Sequence, residues 1–366
     1  MRTATSLHLL LLPALLFAAG CNDSSLLQEP SVPASEGPIA QAGAVRWAPG
    51  YLHAGNPTGA SYAPLPYLSH NESGGAMNVT KPAGTTGRYI VTFKGLSAVL
   101  GTKSAVHVTE YGLNDTYCKP VNGRLVEDKL EVRCFRASTG AAANAAFTVV
   151  VLGRSSNAAF AYAHQPTTTD YLAAGAGSFN PKGSARVVRS GVGQYTAFFT
   201  NYASAVPVGN SGHVQVNAVG TGKSYCVATE WGDASTPNVK VDVSCYTPAG
   251  VPVDSKFTVL FQLPHPHVGF VFAGESTTGS YSPWPATAWN PSAGSMNITR
   301  TAVGDYTITW TGVDPAIIDG GTVQVSPYGE AVQCKATSLF DSGAMVHCFG
   351  PKGLARDSDF MVLLGS

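Results

Sequence analysis

Ser295-Met-Asn-Ile-Thr-Arg-Thr-Ala-Val-Gly-Asp-Tyr-Thr-Ile-Thr-Trp-Thr-Gly312 is the stretch that decides the fold class. Tyr306, Ile308 and Trp310 alternate with Thr307, Thr309 and Thr311. A period of two marks a strand with one face in a core and the other in water. The same arrangement recurs as Tyr89, Val91, Phe93 and as Tyr195, Ala197, Phe199. The chain therefore writes one strand hairpin three times.

Working outward, each hairpin sits in a longer unit that repeats at about 108–110 residues. Each unit opens on an aromatic strand and a turn: Gly50 to Thr58, Ala159 to Thr167 and Gly269 to Thr277. A Tyr follows four residues later (Tyr62, Tyr171, Tyr281), and a Gly-containing loop beginning at Asn71, Asn180 or Asn290 leads into the hairpin. Next comes a Val-x-Val strand (Val106 and Val108, Val214 and Val216, Val323 and Val325), then two Cys-bearing strands and a closing strand from Phe147, Phe257 or Phe360. About seven or eight short strands per unit, with turn signals between them, is the pattern of a sandwich or barrel. The expectation is an all-β chain of three tandem sandwich-like modules, at 45–153, 154–264 and 265–366. The alternative is one closed propeller of pseudo-threefold symmetry. A separate core and a covalent staple in each unit favour modules.

Those staples are cysteine pairs at matching places: Cys118 with Cys134, Cys226 with Cys245, and Cys334 with Cys348. Val239, Val241, Val243 and Cys245 share one strand face, as do Leu130, Val132 and Cys134, so each Cys points inward toward the preceding strand. Disulfides are expected, each adding about 3 kcal/mol for loops of about 15 residues. Zinc is the other use of such residues. Neither Cys-x-x-Cys nor His-x-x-x-His occurs, and no metal or cofactor is expected.

Composition narrows the setting. Lys plus Arg number 22 and Asp plus Glu 22, so no net charge points to nucleic acid. Charged residues make up 12% of the chain, against about 25% in ordinary soluble domains. Hydroxyl, amide and glycine residues replace them, which suits an exported β protein. Arg2, the apolar run Leu7 to Ala19 and the small residues Ala18-Ala19-Gly20 read as a signal peptide over 1–20. The run is too short to span a bilayer. Residues 21–44 are rich in Ser, Pro, Ala and Gly and read as a flexible tether with a mean reach of about 25–30 Å.

Leu16-Phe17-Ala18-Ala19-Gly20-Cys21 resembles the lipobox of bacterial lipoproteins. The resemblance implies that Cys21 is acylated and becomes the first residue of the mature chain. Asn22 after it implies the outer membrane or cell surface. Ala18 departs from the Leu that the family prefers at that place, and ordinary signal cleavage is the other reading. Seven Cys with six in pairs would then leave Cys21 as a lone exposed thiol, and lipidation accounts for it. Across 45–366 the units, with their Tyr-Cys and Val-x-Cys strands, are similar to tandem β repeats of uncharacterised exported proteins of myxobacteria and actinobacteria. That resemblance implies no particular activity.

A site unique to the molecule belongs where a unit breaks the common pattern. His70 stands where the other units have Phe179 and Trp289, His164 where they have Gly55 and Gly274, and Trp231 where the third has Leu339. Trp284 and Trp289 flank an Asn-Pro-rich loop, and exposed aromatics beside amides hold sugars by stacking. These five are the candidate ligand-binding residues. His107, His213, His265 and His267 read as spectators, and the Asn144, Asp254, Asp357 position as a turn or cap residue. No nucleophile elbow, zincin helix, P-loop, dinucleotide or calcium motif is present. The leading expectation is a non-catalytic, cell-surface binding or structural protein, with a membrane anchor and a glycan or envelope-protein partner. The rival is an extracellular hydrolase of polysaccharide or protein built from scattered acids and His.

Overall fold

The computed structural model describes residues 46–366, apart from 234–236, 314–316, 318–319 and 341. The signal peptide, the tether and Cys21 lie outside the described residues. The fold is all-β, and no helix among the described residues is long and apolar enough to cross a membrane.

Each hairpin heads an outer run of five strands whose order is the same three times; in the third unit one parallel bridge, Ala336 with Tyr111, continues it into the first unit's inner strands as a nine-stranded sheet. In the third it runs Ser280–Tyr281, Met296–Ala302, Asp305–Trp310, Gly343–Phe349, Gln333–Phe340. In the first, Arg88–Phe93 lies between Met77–Thr80 and Lys129–Arg136, and in the second Gln194–Phe199 lies between Ala185–Gly191 and Val239–Tyr246. The central strands alternate buried and half-buried residues along their length, so Tyr306, Ile308 and Trp310 go inward as the sequence pattern requires. Behind each outer sheet lies an inner one. The inner core strands are Gly50–Ala54, Ala146–Leu152 and Ala105–Tyr111 in the first unit, Ala158–Ala163, Lys256–Gln262 and His213–Val219 in the second, and Val268–Ala273, Phe360–Gly365 and Thr322–Pro327 in the third. Between the two layers lie three separate apolar cores.

The inner strands are buried on both faces, and Phe360–Gly365 is buried at every residue. Their second face meets the inner sheets of the other units. Tyr51, Val150 and Leu152 of the first, Phe160 and Leu260 of the second, and Phe270 and Leu363 of the third form one shared cluster. The sheets thus pack around a common axis and are not strung out in line.

Two sets of hydrogen bonds close that ring. At the end of each Val-x-Val strand a glycine N–H donates to the Cys-bearing strand of a neighbour: Gly112 to Ala336 O at 2.9 Å, Gly220 to Pro120 O at 3.0 Å and Gly329 to Ala228 O at 2.8 Å. These glycines have φ of +123°, +118° and +87°, values that side-chain-bearing residues rarely adopt. Nearer the axis, the edge N–H groups of Val108, Val216 and Val325 donate to Asn217 Oδ1 (2.6 Å), Ser326 Oγ (3.1 Å) and Thr109 Oγ1 (2.9 Å). Each set runs through all three units and returns to its start. An exposed strand edge is an open template for further pairing, and here each edge is capped by its neighbour. Where the body opens, Trp47 N donates to Ser366 O at 2.7 Å and Trp47 Nε1 to Gln262 Oε1 at 2.8 Å.

The three disulfides are formed between the expected partners. Cys118 is joined to Cys134, Cys226 to Cys245 and Cys334 to Cys348, with Cα–Cα distances of 4.1, 4.0 and 4.1 Å. In each pair the two residues stand directly opposite on adjacent antiparallel strands. Cys134, Cys245 and Cys348, the second member of each pair, are fully buried, each in the core of its own unit. The Asn144, Asp254, Asp357 position closes the hairpin turn, accepting from the N–H of Gly87, Gly193 and Gly304 at 2.9 Å each. Asp254 and Asp357 also pair with Arg189 and Arg300.

Candidate functional site

The structure spreads the sequence-derived candidates over the molecule. Trp231 lies edge-on to Phe272 and Tyr328, with ring centroids 4.9 and 5.3 Å away, and its indole N–H donates to Ser211 O at 3.1 Å. It fills the seam between the second and third units. Trp289 donates to His265 O at 3.1 Å and packs on the shared axial cluster. His70 Nε2 meets Glu72 Oε2 at 2.9 Å, and burial lowers its pKa. His164 contacts Tyr162 O and Gln165 and lies edge-on to Tyr171. Trp284 alone of the five projects into solvent, 72% exposed, from the start of the short turn Pro285–Thr287. The matching turn of the first unit carries exposed Leu65 and Tyr67.

The chemically richest place is one that sequence reasoning passed over. Among the three units, on the axis and at the cysteine end of the inner strands, lies a cavity of about 30 Å³. By the volume one water needs, it has room for about two. It is lined by Glu110, Thr116, Lys119 and Val108 of the first unit, Val216, Asn217 and Tyr225 of the second, and Val325, Gln333, Lys335 and Phe349 of the third. One cysteine of each disulfide also lines it, as do Tyr117, Tyr225 and Phe349, which pack with Phe135 and Tyr246 in one apolar cluster.

Two lysines and one glutamate are buried there. Lys335 Nζ lies 2.8 Å from Glu110 Oε2, both side chains 2% exposed. Lys335 also sits 5.4 Å over the Phe349 ring, where the π face favours a cation. The other glutamate oxygen accepts from Thr116 Oγ1 at 2.7 Å. Lys119 Nζ donates to Ser224 O at 2.8 Å and Ser224 Oγ at 3.3 Å, and no carboxylate pairs with it among the described residues. Desolvation lowers the Lys119 pKa to about 7 and raises that of Glu110 to about 7, the nearby Lys335 ammonium working against the rise. The Gln333 amide nitrogen, also buried, has no partner among the described residues.

A faint signal for this site is present in the sequence. Lys119 and Lys335 each follow a cysteine directly, where the second unit has Val227, and Glu110 interrupts an apolar strand. The fully buried His107 stands at the register position of Gln215 and Gln324, opposite Val150 as they are opposite Leu260 and Leu363. Neither of its ring nitrogens has a partner among the described residues. A second hollow of about 260 Å³ opens near Leu96–Leu100, lined by Ser97, Thr102, Ser104, Arg124 and Glu127.

The fold and the axial site together define a closed ring of three two-layered β units. Comparison with protein-family models, with curated proteins and with solved structures finds no match for this chain.

Proposed function

We propose that this is an exported bacterial lipoprotein, anchored through acylated Cys21 at the outer membrane or cell surface. Its β body serves there as a non-catalytic binding or structural element for a glycan or an envelope protein. The observation that carries the reading is the cysteine inventory. Three disulfides take six of the seven cysteines and leave Cys21, in its lipobox-like setting, with no structural duty in the described body. Disulfides at this density suit an oxidising compartment. The paired acids and bases of the body hold turns and seams: Arg189–Asp254 and Arg300–Asp357 brace hairpins, and Glu110–Lys335 joins two units. Trp284 offers a flat apolar ring to a partner without disturbing any of them.

Full-length protein made in a bacterial host fed an alkyne fatty acid tests the anchor. Label on the wild type and its loss in Cys21→Ser, with transfer of the protein from the membrane to the soluble fraction, supports it. An unlabelled wild type ends it. Trp284→Ala tests the binding role in pull-downs of envelope glycans and proteins. Capture by the wild type that weakens at least tenfold in the variant supports a stacking contact, and equal capture removes Trp284 from the account.

A further inference from the structure

We propose that the axial cavity binds one small monovalent anion of chloride size, held by Lys119 of the first unit with Lys335 and Gln333 of the third. The argument begins with charge. Two ammonium groups and one carboxylate line the cavity, so with all three ionised it carries one uncompensated positive charge. Lys335 has Glu110; among the described residues Lys119 has only a carbonyl and a hydroxyl of Ser224. A buried charge of one sign is costly, and a counter-ion in contact offsets much of that cost.

Hydrogen-bonding capacity points the same way. Gln333 is 8% exposed, and its Nε2 meets no acceptor among the described residues. Lys335 and Lys119 are each 2% exposed and have more N–H groups than the contacts above use. On the acceptor side, Glu110 is already engaged at one oxygen by Thr116 and at the other by Lys335, which leaves little for a cation to take. With Glu110 and Lys335 paired to each other, the lining group left without a partner among the described residues is a donor, the Gln333 amide nitrogen, and its partner is an acceptor. Charge then selects its class: one uncompensated positive charge calls for a monovalent ion, and about 30 Å³ gives room for one of chloride size. Donors from two units on one ion would also tie the ring together, adding a link to the hydrogen bonds between the units.

The test uses the full chain exchanged into sodium gluconate and titrated with sodium chloride or bromide at constant ionic strength. Thermal unfolding is expected to shift upward, saturably and equally with sodium or potassium. At halide one hundred times its dissociation constant the unfolding constant falls about 100-fold. Sulfate at matched ionic strength gives only the non-saturating rise expected of an excluded salt. Lys119→Met keeps the stem, removes the ammonium and loses the halide response. Crystals soaked in bromide give an anomalous peak in contact with the Lys119 and Lys335 nitrogens. A flat halide titration overturns the proposal, as does a response that survives in Lys119→Met. So does a bromide-soaked cavity without a peak, which is the measurement that decides should the variant fail to fold.

Discussion

The backbone N–H of Val325 in the third unit donates to Thr109 Oγ1 in the first, at 2.9 Å. That bond joins residues more than two hundred positions apart and completes a circle whose other members are Val108 with Asn217 and Val216 with Ser326. The three N–H groups belong to valines buried on inner strands, so each cap answers a donor that would otherwise be orphaned.

Thr109→Val keeps the shape and removes the acceptor. It leaves Val325 N–H unsatisfied and takes a donor from Gln324 Oε1, to which the Thr109 hydroxyl lies 3.1 Å away. The expected loss is about 1–3 kcal/mol in urea unfolding, while Thr109→Ser stays near the wild type. A loss below about 0.5 kcal/mol for the valine variant would show the ring closes without this bond.

His107 gives the molecule an acid limit. Burial holds its pKa down to about 3, and that of His213 likewise to about 3, whereas an unfolded histidine titrates near 6.5. Between those values the unfolded chain binds the extra protons, so stability is full above 6.5 and is lost as pH falls toward 3. Each such histidine contributes a slope of about 1.4 kcal/mol per pH unit. His107→Gln, which installs the residue found in the other two units, should flatten the curve between pH 6 and 4 by about one proton. The difference between the two proteins cancels the other titrating groups, including Glu110. Parallel curves would mean His107 reaches water in the native state.

The hairpin turns separate a cap from an ion pair. Asp254 accepts from Gly193 N–H and pairs with Arg189, which holds its pKa below the usual range. Unit one makes do with Asn144 at the same place, and the corresponding Lys81 turns to the Thr85 carbonyl. Asp254→Asn should therefore cost under about 1 kcal/mol, the worth of a partly exposed pair, and Asp254→Ala about 1–3 kcal/mol, since the turn N–H loses its acceptor. Equal costs, read from denaturation midpoints, would assign the whole effect to the arginine.

Removing one disulfide by a double Cys→Ala change, for example at Cys334 and Cys348, should cost about 3 kcal/mol, since the bridges span separations of 16, 19 and 14 residues. Comparing melting temperatures of the three double variants tests whether the stabilisation is shared. A variant that melts with the wild type would show that its unit is held by packing alone.

Strand alternation, paired cysteines and the Asn or Asp cap before each closing strand were legible in the sequence because each is a local pattern repeated in register. The loop asparagines Asn71, Asn180 and Asn290 belong to that group, each donating to two carbonyls that bracket its loop. The closure was not legible. Its caps are Thr109, Asn217 and Ser326, three different side chains at one register position, so comparison of the units shows variation where the structure shows a common role. The same difficulty hid Lys119 and Lys335, whose significance comes from the axis they share. Trp231 stood out for breaking the pattern, and its reason is the seam it fills against Phe272 and Tyr328.

Trp47 and Ser366 are hydrogen-bonded neighbours, and the links between units are the short segments after Leu152 and Gln262. A gene recut to start at either link, with the present ends spliced by a few glycines, should yield the same body. It also follows that tension applied at Trp47 passes first to the third unit, whose Ser366 carbonyl holds the Trp47 backbone N–H.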